Sequence, residues 1–417
     1  MPTPAITPAA GYMNTGIDNA STFVRDVDPR LFYLEAFKYP LVSVLFTMGT
    51  ELEKKDDGSF YLKGNASLKK EQTVNPKFEH TESEMLKFAF NPTVVVATGD
   101  TSITITTSDD DYFVAGMEIL LTNAAGDREM ARVTTVGSGS LTVTRNIGST
   151  GAIAMATSDT FYLMGVVRAE DSTSTSQRQA KSETLYNYVQ FLSEPYGNTK
   201  IQQATQNYHG NSFERNKMEA FARMKRNLEL MFWFGVRSID DSTTNPIYHN
   251  GGILYWLESQ YTDVVTLDVG GYLTKQQWEQ WLQDALKYSN MAKIVFCSSP
   301  VLTAVSGFAS NQLRPSDVNL SKFGMAITEY QCSFGKVMLV REPLFDEVTN
   351  MNGGAVCLDM QNVKWRFLNG NGVNLDLKSY DDIQENDRSG RKGEWVTVGG
   401  LQIAIGKSHA ILRNVQA

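Results

Sequence analysis

The chain has 417 residues, 42% of them hydrophobic and 20% charged, which is enough apolar material for real cores and excludes a largely disordered chain. Its formal net charge is −8, which argues against extensive tight binding of nucleic acid, because phosphate neutralisation supplies most of that affinity. The three cysteines, Cys297, Cys332 and Cys357, are odd in number and lack short spacings. They exclude a disulfide framework and a thiolate zinc site and read as small buried hydrophobes in a reducing cytoplasm.

At this length two or three structural units are expected. The start, Met1-Pro2-Thr3-Pro4-Ala5, lacks the cationic and apolar regions of a secretion signal. The longest apolar stretches, Leu41 to Phe46 and Leu230 to Phe234, are far shorter than the roughly 20 residues of a membrane helix. Residues 1 to about 28 are rich in Pro, Ala, Thr, Gly and Asn and cannot bury enough surface to fold alone. They read as an arm that is mobile or laid on a neighbour. Leu31, Tyr33, Leu34 and Phe37, then Leu41, Val42, Leu45 and Phe46, fit a short helix broken at Tyr39-Pro40 and resumed after it.

Residues 51 to 75 are polar, lysine-rich and turn-prone, and Asp57-Gly58 flanked by Phe60 and Tyr61 signals a protruding hairpin. A strand reading follows at Phe78 to Glu82 and on to Phe88 to Phe90. Residues 94 to 165 differ in texture, with short alternating runs of Thr, Val and Ile punctuated by Gly116, Gly126 and Gly137-Ser138-Gly139-Ser140. About five such strands read as a small all-β barrel or sandwich inserted into the chain. A polar stretch from Ala169 to Lys181 closes it, and strand character resumes at Thr184 to Phe191.

The strongest helix covers 211–235. Asn211 with Glu214 makes a capping-box-like start, Met218, Phe221, Met224 or Lys225, Leu228 and Met231 keep helical spacing, and Gly235 supplies the stop. Its other face carries Arg215, Lys217, Arg223, Arg226 and Glu229, so the helix reads as an amphipathic strut across a sheet. Beyond it the texture is α/β. Thr274 to Gln277 is a capping box before a Trp278, Trp281, Leu282, Ala285 stripe; Ile294 to Cys297 is a buried strand; Ser299-Pro300 opens a helix. Strands are expected at Lys336 to Val340 and Ala355 to Leu358, with a closing pair at 394–398 and 401–405 around Gly399-Gly400.

No set of residues carries catalysis. His80-Thr81-Glu82 has a deaminase-like spacing, but no Cys-x-x-Cys completes that site. Gly137-Ser138-Gly139 lies between strands and is no nucleophile elbow, and Gly370-Asn371-Gly372 reads as a polar turn, with Leu375 where a third glycine would stand. Asp109-Asp110-Asp111 reads as a solvated turn instead of a cation loop. His80, His209, His249 and His409 are scattered, and the basic residues of the 211–235 helix read as snorkelling side chains ahead of DNA contacts. No catalytic, cofactor-binding or metal residue is identified, and the chain is read as no enzyme and as needing no cofactor.

The order of parts is the most informative feature. Asp26 to Pro29, Pro40 to Leu45, Phe78 to Glu82, the Thr-rich block ending Leu141 to Asn146, and Asn187 to Phe191 ahead of the long helix together resemble the HK97-like major capsid proteins of tailed bacteriophages. The likeness is nearest to the SU10-type capsid family. It implies an α+β fold with an N-terminal arm (1–40), an E-loop with extended strands (41–93 and 166–200) and a β-rich insertion (94–165). It also implies a peripheral domain (201–250 and 355–417) with spine helix 211–235, and an axial domain (251–354). It further implies self-assembly into hexamers and pentamers that form an icosahedral virion capsid around double-stranded DNA, assembled in the host bacterial cytoplasm. Portal, scaffolding and decoration proteins would be partners, DNA would be met only by weak non-specific proximity, and no membrane is involved. Inter-subunit contacts are placed at Arg25, Phe60, Tyr61, Lys63 and Phe78. Some such shells crosslink lysine to asparagine, but Lys54, Lys55, Lys63, Lys69 and Lys70 read as ordinary solvated surface. The alternative is another virion component, of tail or adhesion type, with the β-insert as a binding module.

Overall fold

The computed structural model describes residues 39–47, 52–54, 60–62, 70–83, 86–168, 170, 173, 182–205, 211–242, 244–288, 293–308, 313–315 and 327–416. Residues 1–38 of the expected arm, with Arg25, and Lys63 lie outside these residues. The chain divides into two units, His80–Leu185 and the remainder.

The smaller unit is an antiparallel six-stranded sheet. Its order is Ala89–Phe90, Phe161–Val166, Met117–Thr122, Arg128–Gly137, Ser140–Thr144 and Ser102–Thr104. Burial alternates strictly along Met117–Thr122, as period-two patterning requires when one sheet face is covered. Phe90, Phe113 and Phe161 meet at ring separations of 4.7 to 6.0 Å over Ile103, Ile119, Leu121, Val133, Leu141 and Val143. The Thr93 N–H, just beyond the first edge strand, donates to the Thr104 carbonyl on the other edge strand (2.9 Å), so the sheet curls until its edges meet. Ala89–Phe90 lies ahead of the boundary expected at 94, because Phe90 is needed to fill this core.

The larger unit is organised around helix Ser212–Phe234. Asn211 caps it by accepting from the Phe213 N–H (3.0 Å). Two corrections to the expected helix faces follow. Met218, placed on the apolar stripe, is exposed, and Glu229, placed on the polar face, is fully buried. The buried set is Phe213, Ala220, Met224, Leu228, Met231, Phe232 and Trp233, and the last turns are covered on several sides. Gly235 ends the helix with φ −55° and ψ 141°, an extended conformation that does not by itself need glycine. Glycine is required there because a Cβ would meet the Asn250 carbonyl at 2.5 Å.

One sheet against this helix has the order Gln190–Thr199, Gly390–Ile403, Val363–Gly370 and Val373–Asn374, with Lys70–Thr73 added in parallel to Val363–Gly370. Phe232 stands edge-on to Trp365 (5.2 Å), and Phe221 packs on Trp395 (4.7 Å). Gly390–Ile403 is a single 14-residue strand where a closing pair was expected. Its central glycines do not turn the chain. They make room: a Cβ on Gly399 would lie 2.3 Å from the Trp365 ring, and one on Gly400 would lie 2.4 Å from the Tyr188 carbonyl.

The second sheet is seven-stranded and mixed, in the order Val265–Tyr272, Ala410–Gln416, Ala355–Leu358, Lys293–Cys297, Gly335–Arg341, Ile327–Cys332 and Leu313–Pro315. Strands Ala355–Leu358 and Ala410–Gln416 therefore pair with the 265–341 block, although the sequence order grouped them with the peripheral segments. Every residue of Lys293–Cys297 is buried, as a central strand covered on both faces demands. Helix Lys275–Leu286, with the expected capping box at Thr274, contributes Trp278, Trp281 and Leu282 to one face, and helix Ser299–Phe308 adds Val301 and Val305. Trp233 of the long helix packs on Phe296 (5.3 Å) and Phe345 (4.7 Å).

Candidate assembly surfaces and buried polar sites

The residues expected at subunit contacts are distributed unevenly. Phe60 and Tyr61 lie on strand Phe60–Leu62, which pairs antiparallel with Leu52–Lys54, as the two arms of the expected hairpin would. Phe78 corrects the expectation: it is 5% exposed and packs on Val189 and Val398 in its own chain, so its ring is not available to a neighbour.

The motifs weighed for chemistry have structural roles. Asp110 accepts from the Gly139 N–H with both oxygens (2.9 and 3.1 Å), fixing the turn at Gly137 to Ser140, while Asp109 pairs with Lys87 (3.2 Å). Asn371 and Gly372 both take positive φ (51° and 82°), the signature of a two-residue hairpin turn, where the sequence reads a polar turn. His80 pairs with Glu82 at 3.0 Å. Among the described residues no group of His, Cys, Asp and Glu could hold a metal ion, and no helix is long and apolar enough to cross a membrane. The three cysteines are free and buried, and burial pushes the Cys357 thiol up to about 12.

The basic residues of the long helix are largely neutralised locally. Lys217 pairs with Asp381 (2.8 Å), Arg223 with Glu194 (3.4 Å) and Arg215 with Glu219 (3.8 Å). The Tyr196 hydroxyl also donates to Asp381 (2.5 Å), and Lys217 and Tyr196 together hold that carboxyl below the usual range. The Lys217 contact ties the helix to the segment that follows strand Lys378–Tyr380, and the Arg223 contact ties it to strand Gln190–Thr199.

Three buried polar sites escaped the sequence reading. In the insert, Glu129 is fully buried against Arg145. In the seven-stranded sheet, Lys293 is fully buried and its Nζ donates to the Ala285 and Ser408 carbonyls (both 2.5 Å). On the long helix, Glu229 accepts from the Leu41 (2.8 Å) and Val42 (2.6 Å) N–H groups, and the buried Glu342 lies beside it. The only sequence signal for Glu229 was its place in the last two turns, where Leu228 and Leu230 to Phe234 leave almost no polar face.

Each of these polar sites joins separate segments of the chain. The arrangement is one of packing and fastening, and comparison with known proteins agrees. The family model for the SU10 major capsid protein matches residues 18–416. The chain belongs to that family. It is therefore a major capsid protein of a phage, a shell-building structural subunit that associates with copies of itself in the virion capsid. A curated relative, the major capsid protein of Pseudomonas phage PaMx41, is 22% identical over 351 residues, covering 82% of each chain. Among solved structures, the capsid of Myoviridae phage XM1 is similar at a TM-score of 0.47 and 10% identity, over 96% of this chain and 100% of that one. A structure of Mycobacterium phage Ogopogo is similar at 0.47 and 10%, over 97% and 99%. The α+β architecture suits the HK97-like description that the order of parts implied, and family membership displaces the tail or adhesion alternative.

Proposed function

We propose that this capsid protein assembles as hexamers and pentamers that close into an icosahedral head around double-stranded DNA in the host bacterial cytoplasm. Portal, scaffolding and decoration proteins are its further partners. In this reading the sheet of Gln190–Thr199 and Gly390–Ile403, with the long helix as spine, is the peripheral domain. The seven-stranded sheet with its two helices is the axial domain. The 52–62 hairpin belongs to the E-loop and, with the arm, reaches neighbouring subunits.

Family membership over nearly the whole chain carries this reading. The charge distribution adds an orientation. Residues 80–185 hold 13 Asp and Glu against 7 Lys and Arg, so −6 of the chain's −8 lies in the unit that carries the insert. A wall beside packaged phosphates favours the opposite sign, so the insert faces outward. A particle map from the expressed full-length chain tests both points. Six- and five-fold capsomers with outward density for the insert are expected; rings, filaments or a lumenal insert would overturn the reading.

A further inference from the structure

Glu229 and Glu342 are both fully buried, and they meet where three segments converge. Helix Pro40–Thr47 opens with a proline, which has no N–H, so its next two N–H groups are the first without an intrahelical partner. Glu229 takes both, one on each carboxylate oxygen, at 2.8 and 2.6 Å. A negative charge at that position also complements the helix dipole. Glu342 precedes the short helix Pro343–Glu347, and its Oε1 accepts from the Leu344 N–H (3.3 Å). Its other oxygen is buried and makes no well-aligned hydrogen bond among the described residues.

As two carboxylates, this pair would place acceptor against acceptor with no hydrogen between. One proton resolves the conflict: a protonated Glu342 donates to Glu229, which stays ionised and keeps both helix N–H groups. Burial pushes both above the usual carboxylate range, Glu229 to about 7; the neighbouring Glu229 raises Glu342 further, whereas on Glu229 the hydrogen bond from Glu342 and the two backbone N–H groups oppose the rise. The Trp233 indole N–H lies beside both. No cation offsets the pair among the described residues. Lys225 lies over the Phe221 ring (4.4 Å), Arg341 is paired with Asp346 (3.0 Å), Asp346 is also held by Ser299 (2.6 Å), and helix 40–47 has no ionisable side chain.

We propose that Glu229 and Glu342 share one proton and act as a latch that docks helix Pro40–Thr47 on the long helix, and that losing this proton undocks it. The latch makes the docking of helix Pro40–Thr47 sensitive to pH. The test uses the full-length chain, with amide exchange in the 40–47 peptide followed at about pH 8, above the Glu229 value of about 7, and at about pH 10, and corrected for intrinsic rates, so that a shift of one pKa unit reads as roughly tenfold. The expected result is at least tenfold lower protection at the higher pH, with the insert peptides unchanged. Glu342→Gln, which carries a permanent donor, is expected to keep protection at both values. Infrared spectra of the wild type should carry a protonated-carboxyl stretch that Glu342→Gln lacks, a reading independent of exchange. Equal protection of the wild type at the two pH values overturns the proposal, whatever the variant does. So does a Glu342→Gln chain as pH-sensitive as the wild type.

Discussion

Glu129 and Arg145 form a two-pronged ion pair inside the insertion unit, with Arg145 Nη2 2.5 Å from one carboxylate oxygen and Nε 3.0 Å from the other. The Asn146 (3.0 Å) and Ile153 (2.9 Å) N–H groups also donate to Glu129, and the Ala97 carbonyl accepts from Arg145 (2.6 Å). The pair thus joins strands Arg128–Gly137 and Ser140–Thr144 to the 97 and 153 loops. Desolvation pushes the Glu129 pKa up, but Arg145 and the two N–H groups outweigh it and hold the carboxyl below its ordinary value.

Removing one partner leaves the other charged and buried. Arg145→Ala is expected to destabilise the insert by about 3–5 kcal/mol, whereas a well-packed apolar replacement of both partners is expected to cost much less. Thermal melts of the two variants check this.

The direction of the Glu129 shift also sets a pH dependence. A carboxyl whose folded pKa lies below the unfolded value of about 4.3 contributes stability that is complete above that value and is lost as pH falls through the folded pKa. The insert should therefore melt at lower temperature on acidification below about pH 4, and a Glu129→Gln chain should lack that component. Melting temperature against pH for the two chains is the check.

Lys293 fastens the C-terminal end of helix Lys275–Leu286 to the 406–408 turn. Lys293→Met preserves most of the volume but orphans the Ala285 and Ser408 carbonyls that it bonds. At about 1–3 kcal/mol for each unsatisfied buried group, the expected loss is a few kcal/mol, measured by denaturant unfolding.

Gly399→Ala should overpack against Trp365 and cost at least about 1–3 kcal/mol. Gly271→Ala, where nothing lies within 4 Å of the added Cβ and φ is unremarkable, should be near neutral. Unfolding curves of the two single variants separate local crowding from loss of glycine as such.

These sites show where the sequence was legible and where it was not. The long helix, the Thr274 capping box, the Ser299-Pro300 helix start and the strand-rich insert were readable because spacing, caps and period-two alternation are local signals. Glu229 and Met218 were assigned to each other's surroundings because local periodicity fixes the helix but not which neighbours cover it. Gly399-Gly400 looked like a turn because the Trp365 ring that requires glycine there is remote in sequence. Lys293 carried no signal beyond its place before Ile294 to Cys297; its burial depends on carbonyls from two other segments. The function came from the order of parts, not from any site.

The most direct test of the central claim is the behaviour of the full-length chain expressed alone. Sedimentation followed by electron microscopy of the fastest fraction should show closed shells built from repeated capsomers. A strictly monomeric species at every concentration and salt condition would contradict the account.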